Sequence, residues 1–258
     1  MKNLSIIKIQ SLLLLSLFFL AACEKSAVED NLPKITKTGL RNGLIGEYLF
    51  NGNAFDDSGY GNHGTISGNV TTSTDRFGKS QSAYLFAAGI TNKISIPNTA
   101  HFALINSLSI SLWVKFNTSW NYHSESLIFK GGFPMNSGWE VNVNQDNTLY
   151  GTGNYSFQGA ISTGSGPLSP NYKQTFAEIN KWRHVCYTYD NRIAKIYVDG
   201  VLRDSINVSG ALLNNNNNII IGSSLNPVTG TYEKLIDDVR IWNRALKPEE
   251  VTYLFTSN

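Results

Sequence analysis

Cysteine is nearly missing from this sequence. Two occur in 258 residues, alongside two methionines, and only 16% of positions carry Asp, Glu, Lys or Arg. Two cysteines cannot build the disulfide framework with which small secreted domains replace a large hydrophobic core. The four histidines stand far apart, at 63, 101, 123 and 184, and no His–Cys spacing suits zinc. No Gly-x-Ser-x-Gly elbow for a nucleophilic serine is present. Basic excess is also lacking: 21 Lys and Arg stand against 19 Asp and Glu, whereas a nucleic-acid surface needs clustered positive charge. Helical periodicity is confined to the tail, so strands do not alternate with helices and a parallel α/β sheet is excluded.

The N-terminus has a different composition. Lys2 and Lys8 precede an almost unbroken apolar run over 11–20, then Leu20-Ala21-Ala22-Cys23. A basic start, a short apolar run and small residues before a cut site make a secretory signal over 1–22. The run is too short for a membrane-spanning helix, which needs roughly 20 apolar residues. The small pair before Cys23 resembles the lipobox of bacterial lipoproteins, and that resemblance implies acylation of Cys23 and membrane attachment through buried methylenes. An ordinary secretory signal is the alternative. Residues 23–42 read as a polar tether. Removing 1–22 takes away two lysines and no acid, so the mature chain has 21 − 2 = 19 basic and 19 acidic residues. With Cys23 acylated, Cys186 has no disulfide partner and reads as a small buried hydrophobe.

From residue 43 onward, short aromatic and β-branched runs recur between Gly, Asn, Asp and Pro. In "SLSISLWVKF", Leu108, Ile110, Leu112, Val114 and Phe116 fall on one face, and Ser109, Ser111, Trp113 and Lys115 on the other. Asp199-Gly200 between apolar runs predicts a two-residue hairpin, because a type I′ turn needs positive φ. Asn214 to Asn218 reads as a hairpin loop. Pro248 followed by Glu249 and Glu250 predicts a short helix to about Phe255. The expected fold is all-β, an antiparallel β-sandwich with a short C-terminal helix.

Five phrases carry a more specific signal: "GEYLFNGNAFDDSGYGNHGT", "DRFGKSQSAYLF", "SLSISLWVKF", "KWRHVCYTYDNRIAKIYVDG" and "IDDVRIWNRALKPEEV". In this order they resemble the LamG-like jelly roll of the concanavalin A-like lectin/glucanase superfamily, over about 43–254. The domain is accordingly expected over 43–258. Two positions depart from the pattern. Cys186 stands where a small aliphatic is usual, and Lys247 where a serine often caps the last helix, a loss of about 1 kcal/mol. The resemblance marks Trp113, Trp182 and Trp242 as core. Glucanases of this fold carry their acids as Glu-x-Asp-x-x-Glu or a close variant, and no such string exists here. Glu125, Glu140, Glu178 and Glu233 are isolated, whereas glycoside hydrolysis usually needs two facing carboxylates.

The stretch "FNGNAFDDSGYGNHG" (50–64) leads into a strand rather than a helix, so it is no phosphate cradle, and it lacks EF-hand spacing. Its oxygen atoms suit a hard cation. Similar folds often hold a structural calcium between the chain ends, which makes Asp56, Asn62, Asp237 and Asp238 the expected ligands of one Ca2+. The alternative is a turn capped by Asp56 and Ser58 through their own backbone, with Asp237 and Asp238 solvated or paired to Arg240 and Arg244. His63 and His184 read as structural imidazoles. Aromatics gather in the Asn- and Gly-rich middle (Trp120, Tyr122, Phe133, Trp139, Tyr150, Tyr155, Phe157, Tyr172), and aromatic faces stack on sugar rings while amides bond hydroxyls. Trp120, Tyr122 and Tyr155 are the expected ligand contacts. The functional expectation is a non-catalytic, membrane-anchored carbohydrate-binding or adhesion module of the cell envelope. It is expected as a monomeric domain at the outer membrane, with a glycan or a surface protein as partner and no nucleic acid. A protein-interaction scaffold is the first alternative, and a divergent glycosidase or lyase the second.

Overall fold

The computed structural model describes residues 37–104, 106–117, 124–132, 134–145, 155–164, 166–168, 171–174, 180–208, 210–226 and 231–257. A helical turn, α1 (Lys37–Leu40), precedes β1 (Leu44–Tyr48), β2 (Thr65–Ser67), β3 (Val70–Ser73), β4 (Ala83–Phe86) and β5 (Lys93–Ile96). Next come β6 (Leu108–Phe116), β7 (Glu125–Lys130), β8 (Trp139–Gln145), β9 (Tyr155–Thr163), β10 (Gly166–Leu168) and β11 (Asn171–Gln174). The chain continues through β12 (Arg183–Tyr189), β13 (Ile193–Val198), β14 (Val201–Asn207), β15 (Ile219–Ile221), β16 (Lys234–Trp242) and α2 (Pro248–Thr256).

The strands form two antiparallel sheets. The first runs β14-β13-β12-β6-β16-β4-β3, with β1 also on β16; the second runs β10-β9-β8-β7-β15-β5-β2, with β11 also on β9. β16 divides one edge between two partners. Lys234 to Ile236 face β4, and Val239 to Trp242 face β1, with a register shift between Asp237 and Arg240. The expected β-sandwich and C-terminal helix are both present.

Alternation explains the layering. Leu108, Ile110, Leu112 and Val114 of β6 are buried in the core between the sheets, together with Val141 and Val143 of β8 and Tyr187 of β12. The opposite face of β6 is not solvated, however, since Ser109, Ser111 and Trp113 are buried as well. A second apolar cluster of Leu40, Leu44, Cys186, Tyr197, Trp242, Leu246, Val251 and Leu254 forms at α1 and α2. Cys186 therefore fits the expected small hydrophobe, and burial raises its thiol pKa far above the ordinary range. Part of the stretch expected as tether belongs to this cluster: Trp242 Nε1 donates to the carbonyl of Leu40 at 2.7 Å.

The missing serine cap of α2 is partly replaced. Glu250 accepts the backbone N–H of Lys247 at 2.8 Å, and Arg244 grips the same carboxylate at 2.6 and 2.7 Å. The hairpin at Asp199-Gly200 forms with positive φ at both residues, 53° and 75°, as its type I′ chemistry requires. The asparagine run does more than turn the chain. Asn214 Oδ1 accepts from the buried Lys130 ammonium at 2.9 Å, and the Asn215 carbonyl accepts from it too. Burial pushes this amine down to about 8.

Candidate functional site

The outer face of the second sheet is built from side chains that alternate with core residues. On β8, Trp139, Val141 and Val143 enter the core, so Glu140, Asn142 and Asn144 point the other way. Their partners across β9 are Ala160, Gln158 and Ser156, and Ser126 of β7 lies opposite Asn142. This places amides and hydroxyls side by side. Asn144 Nδ2 donates to Asn142 Oδ1 at 3.3 Å and to Gln158 Oε1, and Ser156 Oγ donates to the Asn144 carbonyl at 3.3 Å.

Glu140 is 7% exposed and lies at one end of this row, where Ser126 Oγ donates to it; Ser126 Oγ in turn accepts the N–H of Leu225 at 2.8 Å. Burial raises the Glu140 carboxyl above its ordinary range, against the lowering effect of the bonds from Ser126 and Asn142. A cavity of about 210 Å3 opens here, lined by Glu140, Ser124, Ser126, Met135, Ser224 and Asn226 among others. The Glu140 carboxyl can accept a hydrogen bond from a hydroxyl ligand.

A second carboxylate to work with Glu140 is not found beside it on this face among the positions described. Glu125 enters the opposite, interior side, where it is fully buried and paired to the equally buried Lys234 of the other sheet. Its second oxygen accepts the N–H of Tyr232 at 2.9 Å. Burial raises Glu125 and lowers Lys234, and their mutual attraction opposes both shifts. Glu233 is held by Asn117 at 2.9 Å. Glu178 lies outside the described residues.

Loop 50–64 is folded around Asp56. One carboxylate oxygen accepts the N–H of Glu47 at 3.0 Å and of Ser58 at 2.9 Å, and the other accepts that of Asn62 at 2.9 Å. Burial would raise this carboxyl, but the bonds from Ser58, Glu47 and Asn62 prevail and hold it below the usual range. Asn62 is bound at both ends of its amide: Nδ2 donates to Ile45 at 3.2 Å and Oδ1 accepts from Thr99 at 3.0 Å. Asp237 and Asp238 meet Arg76 at 3.0 and 2.7 Å, and Asp238 also meets Arg240 at 3.4 Å. Burial and the adjacent Asp238 push Asp237 up to about 8, with Arg76 acting in the other direction.

The calcium expectation depends on whether these donors can serve a cation. Among the described residues, no three His, Cys, Asp or Glu side chains gather in an arrangement that could hold a metal. Each of the four expected ligands has protein partners: backbone N–H groups for Asp56, Ile45 and Thr99 for Asn62, and arginines for Asp237 and Asp238. His63 accepts the N–H of Asp56 at 3.0 Å. His184 is fully buried, with Nε2 2.8 Å from Ser111 Oγ, and burial pushes it down to about 3.

The expected aromatic contacts are not gathered by the described residues. Trp120 and Tyr122 lie outside them, as do Phe133 and Tyr150. Tyr155 opens β9, with its backbone opposite Gln145 and Gln174. Trp139, Phe157 and Trp242 are core. The amide row was not foreseen, although the alternation in "WEVNVNQ" and "YSFQGA" carries it.

Residues 88–252 match the family described as concanavalin A-like lectin/glucanases superfamily, Laminin_G_3. The chain belongs to this superfamily. Solved structures with the same fold include domain 4 of AbnA, a GH43 extracellular arabinanase from Geobacillus stearothermophilus, in complex with arabinotriose. It is 23% identical at a TM-score of 0.64, covering 83% of this chain and 98% of that one. The binding domain of Paraclostridial Mosquitocidal Protein 1 is 19% identical at 0.67, over 84% of this chain and 53% of that one. The binding domain of Botulinum Neurotoxin DC, in complex with SialylT, is 21% identical at 0.65, over 84% and 51%. The chain thus spans about half of the two toxin domains. Comparison with curated proteins finds no match.

Proposed function

We propose that this member of the lectin/glucanase superfamily is a non-catalytic glycan-binding module, held at the cell envelope by a lipid on Cys23. The observation that carries the reading is the row of Asn142, Asn144, Gln158, Ser126 and Ser156 on one sheet face, ending at the Glu140 cavity. Asn144 and Gln158, which are partly exposed, offer amide donors and acceptors to sugar hydroxyls, and the buried Asn142, Ser126 and Ser156 hold them in place from beneath. Arabinotriose in the arabinanase domain and SialylT in the toxin domain give the reading its support from relatives. The absence of chemistry rests on the partners of the acids: Glu125 is locked to Lys234, and Glu140 has no described carboxylate across from it.

For loop 50–64, the bonds around Asp56 favour the metal-free turn over calcium. The functional test is a glycan array, followed by calorimetry on the best sugar. The Asn142→Ala, Gln158→Ala pair is expected to weaken binding at least about tenfold, or about 1.4 kcal/mol. Unchanged affinity would remove the sheet face as the site. Release of reducing ends by the purified protein, abolished in Glu140→Gln, would replace binding with hydrolysis.

A further inference from the structure

A second place on the molecule has the chemistry of a sugar site and shares no residue with the sheet face. The Asp56 carboxylate fixes the backbone at Ser58 and at Asn62. Between these anchors the chain passes Gly59, Tyr60 and Gly61, with φ of 101° and 72° at the two glycines. Such angles are strained for residues with a Cβ, so the sequence Ser-Gly-Tyr-Gly is built to turn twice and push the tyrosine outward. Tyr60 is 49% exposed. Its ring lies 4.3 Å from that of His101, at 48° between planes. His101 is located in turn by Thr99, whose hydroxyl lies 3.5 Å from Nδ1 and donates to Asn62.

These rings form one wall of an open cleft of about 450 Å3, whose other lining residues include Leu104, Asn106, Ser107 and Asn243. Among the described residues no Asp, Glu, Lys or Arg lines it, so an anion or a cation finds no charge partner there. Two amides, a hydroxyl and an aromatic wall instead match a neutral polyhydroxylated ring, with its C–H face against Tyr60 and its hydroxyls toward Asn106 and Asn243. We infer that this cleft binds a neutral saccharide, as a site independent of the sheet face. Tyr60 supplies the platform, and His101 holds its edge.

The test uses the full mature chain and NMR signals of the His101 ring, titrated with arabinotriose, cellotriose and mannotriose. At least one sugar is expected to shift the His101 signals of the wild type. Tyr60→Ala is expected to weaken that response about tenfold while leaving the melting temperature unchanged, and Asn106→Ala to weaken it as well. The Asn142→Ala, Gln158→Ala pair should leave it intact. No His101 shift with any of the three sugars, or a shift that Tyr60→Ala does not weaken, overturns the inference. If the sheet-face variants lose binding while His101 never responds, the glycan-binding proposal stands and this cleft falls. If His101 responds and the sheet-face variants bind normally, the cleft stands and the sheet face falls.

Discussion

Asp56→Ala removes one carboxylate and strands three backbone donors, those of Glu47, Ser58 and Asn62, at 3.0, 2.9 and 2.9 Å. A hydrogen bond to a charged group contributes about 1.5–3 kcal/mol, and an unsatisfied buried donor costs about 1–3 kcal/mol. The three bonds share one side chain and water reaches Ser58, so a total of about 3–4 kcal/mol is expected rather than their sum. For a domain of this size each kcal/mol is about 2–4 °C, so the variant should melt roughly 6–16 °C below wild type. Asp56→Asn keeps an acceptor but loses the charge, and should fall between the two.

The pH dependence follows from the direction of the shift. Folding lowers the Asp56 pKa, so its contribution is present above the ordinary carboxylate range and disappears as pH falls through the lowered value. Wild type and Asp56→Ala should therefore converge in acid. The assay is thermal melting by circular dichroism from neutral pH downward, repeated with excess calcium and with chelator. A melting temperature for Asp56→Ala within about 2 °C of wild type would refute the bonding argument. A wild type that loses several degrees on chelation would refute the metal-free turn, because a ligand that binds only the folded state stabilises it by mass action.

Three further outcomes are expected. Breaking the Glu125–Lys234 pair with Lys234→Met alone should cost about 3–5 kcal/mol in urea unfolding, whereas Glu125→Leu with Lys234→Met should recover most of it; equal losses in both would show that packing, not the stranded charge, sets the cost. Folding raises Asp237, so its contribution is complete below the unfolded carboxylate pKa of about 4 and is lost as pH rises toward about 8. Asp237→Asn should flatten that fall in stability between those limits, and an unchanged pH profile would contradict the shift. Cys23→Ser should move the protein from the membrane to the soluble fraction of the cell, and an unchanged distribution would end the lipid-anchor proposal.

Strands were legible where period-2 alternation met turn chemistry. "SLSISLWVKF" gave β6 because one face of that strand enters the core, and the Asp199-Gly200 turn gave the hairpin of the largely buried β13 with the more exposed β14. The covering of the other face of β6 was not legible, since Ser109 and Ser111 look like solvent residues until Leu246 and α2 close over them. Ser109 Oγ there accepts the N–H of Leu246 at 2.8 Å and donates to the Arg244 carbonyl at 2.8 Å. The same limit applied to the aspartates. Asp237 and Asp238 looked like free oxygen donors because their counter-charge, Arg76, lies some 160 positions away, in a turn stacked on Trp113. Tyr60 was hidden for another reason. Its neighbours Gly59 and Gly61 signalled a turn, but a pattern of glycines does not say which way a side chain leaves it.

The shared edge of β16 has a consequence for the order of events during folding. This strand separates β6 from β4 and β1, yet it is the last of the described strands to be made. β1 waits nearly 200 residues for its neighbour, since Leu44 faces Trp242 and Tyr48 faces Val239. Contacts so distant along the chain make assembly slow. Until Lys234–Trp242 arrives, β6 keeps one edge open and β1 has nothing to pair with. A chain still being synthesised therefore cannot close its first sheet, and an interrupted one presents bare strand edges of the kind that lead to aggregation.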